Sequence, residues 1–159
     1  MNILTPALAA LAATTALTAP GPAPAAELKL DTRMRSYGGE PAYAAFYLTD
    51  AEGRYVRTLW LAAGKARWWD SLSAWYRATG GARAEIAGLT GASIGSGRSL
   101  SVTVEVADAL IDAGYQIRVD TAVEHGAKSP AEVVVPLSSA KAGKAVAGRG
   151  YIASFSFDM

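Results

Sequence analysis

A single histidine, His125, is the side chain through which acid–base or ligand chemistry near neutral pH would run. It stands in Glu124-His125-Gly126, directly after the alternating segment Tyr115–Val123, with Glu124 or Asp120 as candidate proton or ligand partners. A lone His at a strand end also serves as a surface or hydrogen-bonded residue, and both readings stand. A Ser–His–Asp hydrolase would have to use this histidine, yet no G-x-S-x-G elbow presents a serine. No spacing of carboxylates points to a glycosidase pair. The absence of cysteine excludes disulfides, thiolate zinc sites, iron–sulfur ligation and a cysteine nucleophile. One histidine also excludes a multi-histidine metal site within one chain. Thr90-Gly91-Ala92-Ser93-Ile94-Gly95-Ser96-Gly97 is glycine-rich, but it lacks the Gly-Lys-Ser/Thr ending and precedes a strand, so it reads as a flexible interstrand loop. The inventory predicts no metal site and no autonomous catalysis.

Aromatic residues offer a different chemistry. All four tryptophans fall between Trp60 and Trp75. Across Arg67–Thr79 the residues Trp68, Leu72, Trp75 and Tyr76 are spaced i, i+4, i+7 and i+8, which predicts one amphipathic helix with these side chains on a single face. Trp69 lies about 100° around that helix from Trp68 and either widens the face or points at a partner. The rings either dock the helix onto the rest of the protein or form a platform for a flat ligand or another protein. The candidate ligand or partner surface is therefore Trp68, Trp69, Trp75 and Tyr76, with Glu124 and His125.

The elements that must position these residues are mostly strands. Leu28, Leu30 and Met34 alternate with Lys29, Asp31 and Arg33, so one face is apolar and the other charged. Ala42–Thr49 and Tyr55–Leu61 form a hairpin around Asp50-Ala51-Glu52-Gly53. Leu100–Val106, Tyr115–Val119 and Tyr151–Phe157 follow the same rule of two, and Glu132–Leu137 reads as another strand, with Pro136 marking an edge or a strand end. About seven short strands separated by turns predict a mainly β fold, an antiparallel β-sandwich with one inserted Trp-rich helix. Ser138–Gly150 has the composition of a mobile linker.

The first 26 residues stand apart, with no charged and no aromatic side chain. Pro20, Pro22 and Pro24 end the Ala/Leu-rich run, and Ala23-Pro24-Ala25 offers the small residues that a signal peptidase cleaves after. The expectation is a signal peptide over 1–26 and one domain over 27–159, exported to the periplasm or beyond. The apolar run is too short, and too interrupted by Pro6, to span a membrane. A net charge of +1 removes the electrostatic case for nucleic-acid binding.

Several segments, in order, resemble the family of exported bacterial proteins of unknown function called DUF2271. They are Tyr43–Tyr47, Thr49–Leu59 with its Asp-Ala-Glu-Gly turn, Arg67-Trp68 through Trp75-Tyr76-Arg77, Leu89–Ser93, Asp112–Tyr115 and Glu124-His125-Gly126. The resemblance covers about residues 28–137, leaving the Gly/Ala/Lys-rich loop and the last strand outside it. It implies a periplasmic, immunoglobulin-like β-sandwich with no established catalytic activity. It also implies neighbours such as PepSY-type membrane proteins and flavin transferases, in settings of periplasmic electron transfer and of iron or other metal uptake. The expected role is an accessory or binding module of such a redox- or metal-uptake-associated system, with a PepSY-type membrane protein or another periplasmic redox protein as partner. Thr90–Ser93 is also similar to the acceptor motif of flavin transferases, with Ala87 where the motif has Asp and Ser93 where it has Thr. The alternative role is therefore an electron carrier with FMN attached at Ser93.

Overall fold

The computed structural model describes residues 20–159, so all but the end of the segment assigned to a signal peptide lies outside the described residues. Among the described residues eight strands build two sheets. They are β1 (Ala25–Met34), β2 (Ala42–Thr49), β3 (Tyr55–Ala62), β4 (Thr90–Gly91), β5 (Ser99–Ala107), β6 (Gln116–Val123), β7 (Lys128–Pro136) and β8 (Ile152–Asp158). One sheet has the order β5-β1-β8 and the other β4-β3-β2-β6-β7. All pairings are antiparallel except the short β3–β4 contact. The two sheets pack face to face, so the fold is the predicted sandwich.

Side-chain alternation decides what lies between the sheets. Leu28, Leu30 and Met34 of β1 point inward and meet Phe46 and Leu48 of β2, Ile117 and Val119 of β6, and Phe155 and Phe157 of β8. Phe46 and Phe155 approach to 6.2 Å between ring centroids across the seam. Strand β2 is buried along its whole length, on both faces. Its other face (Tyr43, Ala45, Tyr47) belongs to a second apolar cluster outside the five-stranded sheet. That cluster is covered by a cap, the chain from Ala66 to Ile86. The molecule thus has three layers, sheet, sheet and cap.

The hairpin turn at Asp50–Gly53 follows from its residues. Asp50 Oδ1 accepts from the Glu52 and Arg54 amides at 3.0 and 2.9 Å, and Gly53 sits at φ +82°, a conformation that glycine adopts without steric cost. Strand β7 is an edge of its sheet, where Pro136 costs no ladder hydrogen bond.

Three expectations need correction. The Trp segment is not one helix: a 3-10 turn over Ala66–Ser71 is interrupted at Leu72 (φ −81°, ψ 71°), and helix α1 (Ser73–Thr79) begins anew. Thr90–Ser93 is not a free loop, because Thr90–Gly91 pairs with β3 and Ile94 exchanges two backbone hydrogen bonds with Ala42, at 2.7 and 2.8 Å. Ser138–Gly150 does not have the form of a linker either. Its backbone runs along β8 through Gly143, Val146 and Gly148, which bond to Phe157, Phe155 and Ile152. Composition misled here because small residues suit close backbone approach as well as flexibility. At Gly148 a Cβ would stand 2.5 Å from Glu132 Oε1.

Candidate functional site

The cap owes its position to a buried carboxylate. Asp120 on β6 shares its face with Ala45 and Ala122 and is fully buried under the cap. Its Oδ2 accepts from the Ala74 and Trp75 amides, both at 2.8 Å, and its Oδ1 accepts from the Tyr47 hydroxyl at 2.9 Å and the Ala131 amide at 2.7 Å. The two amides are orphan donors of the first turn of α1, which a distant strand satisfies in place of a local capping side chain. Burial, then the Asp120 charge, pushes the Tyr47 phenol far above its ordinary value. Three of the four donors to Asp120 are backbone amides. Asp120 is a structural anchor: Oδ2 holds the cap and Oδ1 holds β2 and β7, so neither oxygen pairs with His125.

The 3-10 turn also reverses the roles of the adjacent tryptophans. At three residues per turn, Ala66, Trp69 and Leu72 fall on one face, so Trp69 turns inward and Trp68 is only half-buried. The Trp69 indole N–H donates to the Ala63 carbonyl and that of Trp75 to Thr58 Oγ1, both at 2.9 Å. The Trp75 ring is wholly enclosed and meets Trp69 edge-on at 6.1 Å. Tyr76 is on the surface of α1, its ring lying where a Cβ on Gly81 would be.

Trp68 instead joins a cleft at one end of the five-stranded sheet. This cleft, of about 290 Å³, is lined by Glu40, Tyr43, Lys65, Trp68, Ser93 and Glu124, among others. Trp68 and Tyr43 lie nearly parallel, 14° apart with centroids at 6.4 Å, and the Arg67 guanidinium sits 5.1 Å from the Trp68 ring centre. Burial, then Glu124, raises the Tyr43 phenol pKa; the phenol oxygen is 3.5 Å from Glu124 Oε2. Glu124 Oε1 is 3.6 Å from His125 Nε2. His125 itself occupies the β6–β7 turn at φ +59°, its side chain pointing into solvent. It lines a neighbouring depression with Tyr37, Glu124 and Tyr151.

Of the six surface residues expected from the sequence, the structure brings Trp68 and Glu124 into one cleft, together with Ser93, and places His125 next to it. It encloses Trp69 and Trp75 and sets Tyr76 apart on α1. Sequence reasoning missed Tyr43 and Lys65. The signal for Tyr43 was present, since an aromatic on the second face of an otherwise apolar strand requires a covering layer. Among the described residues no three His, Asp or Glu side chains gather as metal ligands. What this geometry can do is hold a flat or amphipathic group against two rings, with charges of both signs at the rim.

No curated protein and no solved structure matches the chain. No helix among the described residues is long and apolar enough to cross a membrane. The family described as "Predicted periplasmic protein (DUF2271)" matches residues 25–154, from the start of β1 into β8, and so takes in the Gly/Ala/Lys-rich segment that the resemblance above left out. The chain belongs to the DUF2271 family of predicted periplasmic proteins.

Proposed function

We propose that this protein is a periplasmic accessory or binding module of a redox- or metal-uptake-associated system, without catalysis of its own. Its binding surface on this reading is the cleft of Tyr43, Trp68, Ser93 and Glu124. One observation carries the proposal: Trp68 is the cap tryptophan left half-buried, stacked on Tyr43 beside polar groups that the fold does not consume. Aromatic rings with adjacent charges are the usual anchors of recognition surfaces. The buried carboxylates, by contrast, are occupied with backbone amides and hydroxyls. The partner is a PepSY-type membrane protein or another periplasmic redox protein, a link that rests on the family resemblance.

Titration calorimetry with the periplasmic domain of a co-encoded PepSY-type protein tests this reading. Trp68→Ala should weaken binding by about tenfold or more while leaving the fold intact. Affinity indifferent to Trp68 and Glu124 would remove the cleft from the interface.

The flavin-bearing alternative finds less support. Ser93 lies between paired Gly91 and paired Ile94, and position 87 carries a methyl group where the acceptor motif has a carboxylate. These residues do not fit a modification loop that a transferase must reach. Co-expression with a flavin transferase followed by intact mass tests the point, and an unmodified mass is expected. A Ser93-dependent gain of one FMN unit would reinstate the carrier.

A further inference from the structure

Two sheets have four edges, and three of them carry a device that keeps foreign strands away. β7 contains Pro130, Pro136 and a bulge with Ala131 at φ +45°. β8 is covered by the segment through Gly143, Val146 and Gly148. On the opposite edge of the larger sheet, β3 has two register shifts and β4 already pairs with its end. Among the described residues β5 has no such device. Its nine residues pair with β1 in unbroken register, and they include no proline, lysine, glycine or bulge. Its other side faces no strand among the described residues.

We propose that β5 is a self-association edge, where a second copy of this chain pairs antiparallel about a two-fold axis at Thr103. The two three-stranded sheets then become one continuous sheet of six. Self-complementarity selects the second copy and the register. Pairing centred on Thr103 sets Thr103 against itself and Ser101 against Glu105. It also brings Arg98 and Asp108, which flank the strand just beyond its two ends, near each other at both ends. Arg98 and Asp108 are exposed, and neither enters an ion pair among the described residues. Cross-strand Thr–Thr and opposite-charge pairs both favour such a ladder. On the inner face, Leu100 would meet Val106 of the copy and Val102 would meet Val104. Leu100 and Val102 are the half-buried members of that row and gain the most cover.

Sedimentation equilibrium on the whole chain tests the proposal, with a concentration-dependent dimer expected. Thr103→Glu puts like charges on the axis while facing Lys29 within its own sheet, so the monomer keeps its fold. It should raise the dimer dissociation constant by about fivefold. Arg98→Asp sets acid against acid twice and should raise it by about tenfold, and adding Asp108→Arg should restore it to within about twofold. Circular dichroism confirms the fold of each variant, and the charge swap decides alone if Thr103→Glu fails to fold. A chain that stays monomeric up to about millimolar concentration, or a dimer indifferent to all three changes, overturns the proposal.

Discussion

Two buried carboxylates on neighbouring strands hold opposite sides of the molecule. Asp120 on β6 faces outward under the cap, and Glu132 on β7 reaches toward the other sheet. There Glu132 Oε1 accepts from the Gly150 and Ile152 amides at 2.9 and 2.6 Å, and Oε2 takes the Thr121 hydroxyl. Between them lies the β7 bulge, whose Ala131 amide is bound by Asp120. Buried carboxylates often mark catalytic sites, yet each of these is saturated with donors that organise the fold. Their difference lies in the donors. Asp120 meets three amides and a phenol, with at least one amide on each oxygen, whereas Glu132 keeps both of its amides on one oxygen and a rotatable hydroxyl on the other.

That difference is sharpest with isosteric amides. Asp120→Asn must turn an NH2 toward at least one backbone N–H and should cost about 3 kcal/mol, with loss of the near-ultraviolet tryptophan signal as the cap loosens. Glu132→Gln can keep its oxygen on Gly150 and Ile152 and let its NH2 donate to Thr121, so about 1 kcal/mol is expected. Denaturant titration of both variants checks this, and equal costs would mean that the distribution of donors does not matter. Asp120→Ala should exceed either, at about 4 kcal/mol or more, because four donors, two of them buried and two part-buried, lose their acceptor.

The tryptophans extend the contrast to the cap itself. Trp75→Ala should cost about 3–5 kcal/mol from lost burial and a cavity, whereas Trp68→Ala should cost about 1 kcal/mol or less. Comparable losses would place Trp68 in the core and weaken the assignment of the cleft.

Tyr47→Phe removes one donor from Asp120 and should cost about 1–2 kcal/mol at neutral pH. The phenol's folded pKa lies above its unfolded value near 10, so its contribution is complete below about pH 10. It fades as the pH rises further, because only the unfolded chain readily ionises there. Stability should therefore fall less steeply above about pH 10 in Tyr47→Phe than in the native chain. Alkaline denaturation followed by tyrosinate absorbance reads both slopes.

The smallest effect concerns the turn that joins the two strands carrying these carboxylates. His125 is left-handed, so His125→Gly should stabilise by about 0.5 kcal/mol or leave stability unchanged, as thermal unfolding would reveal. A clear loss would mean that the Glu124–His125 contact supports the hairpin.

The sequence by itself determined seven of the eight strands, the faces of β1 and β5, the Asp50–Gly53 turn and the family. Each depends on side-chain alternation or on local turn chemistry, which the order of residues records directly. A β-bulge at the start of β8, by contrast, turned Ile152 into the core beside Phe155 and Phe157. Alternation also put Asp120 opposite Ile117 and Val119, but it could not say whether that face meets water or protein. Only the tertiary structure decided this, by bringing the Ala66–Ile86 cap across β2, β3 and β6. The same contact chose the 3-10 turn over a continuous helix, because seven helical residues have little stability of their own and form where Asp120 receives their amides. That choice sent Trp69 inward and left Trp68 in the cleft with Tyr43, Ser93 and Glu124. The residues of the cleft come from four separate stretches of chain, and long-range packing alone brings them together.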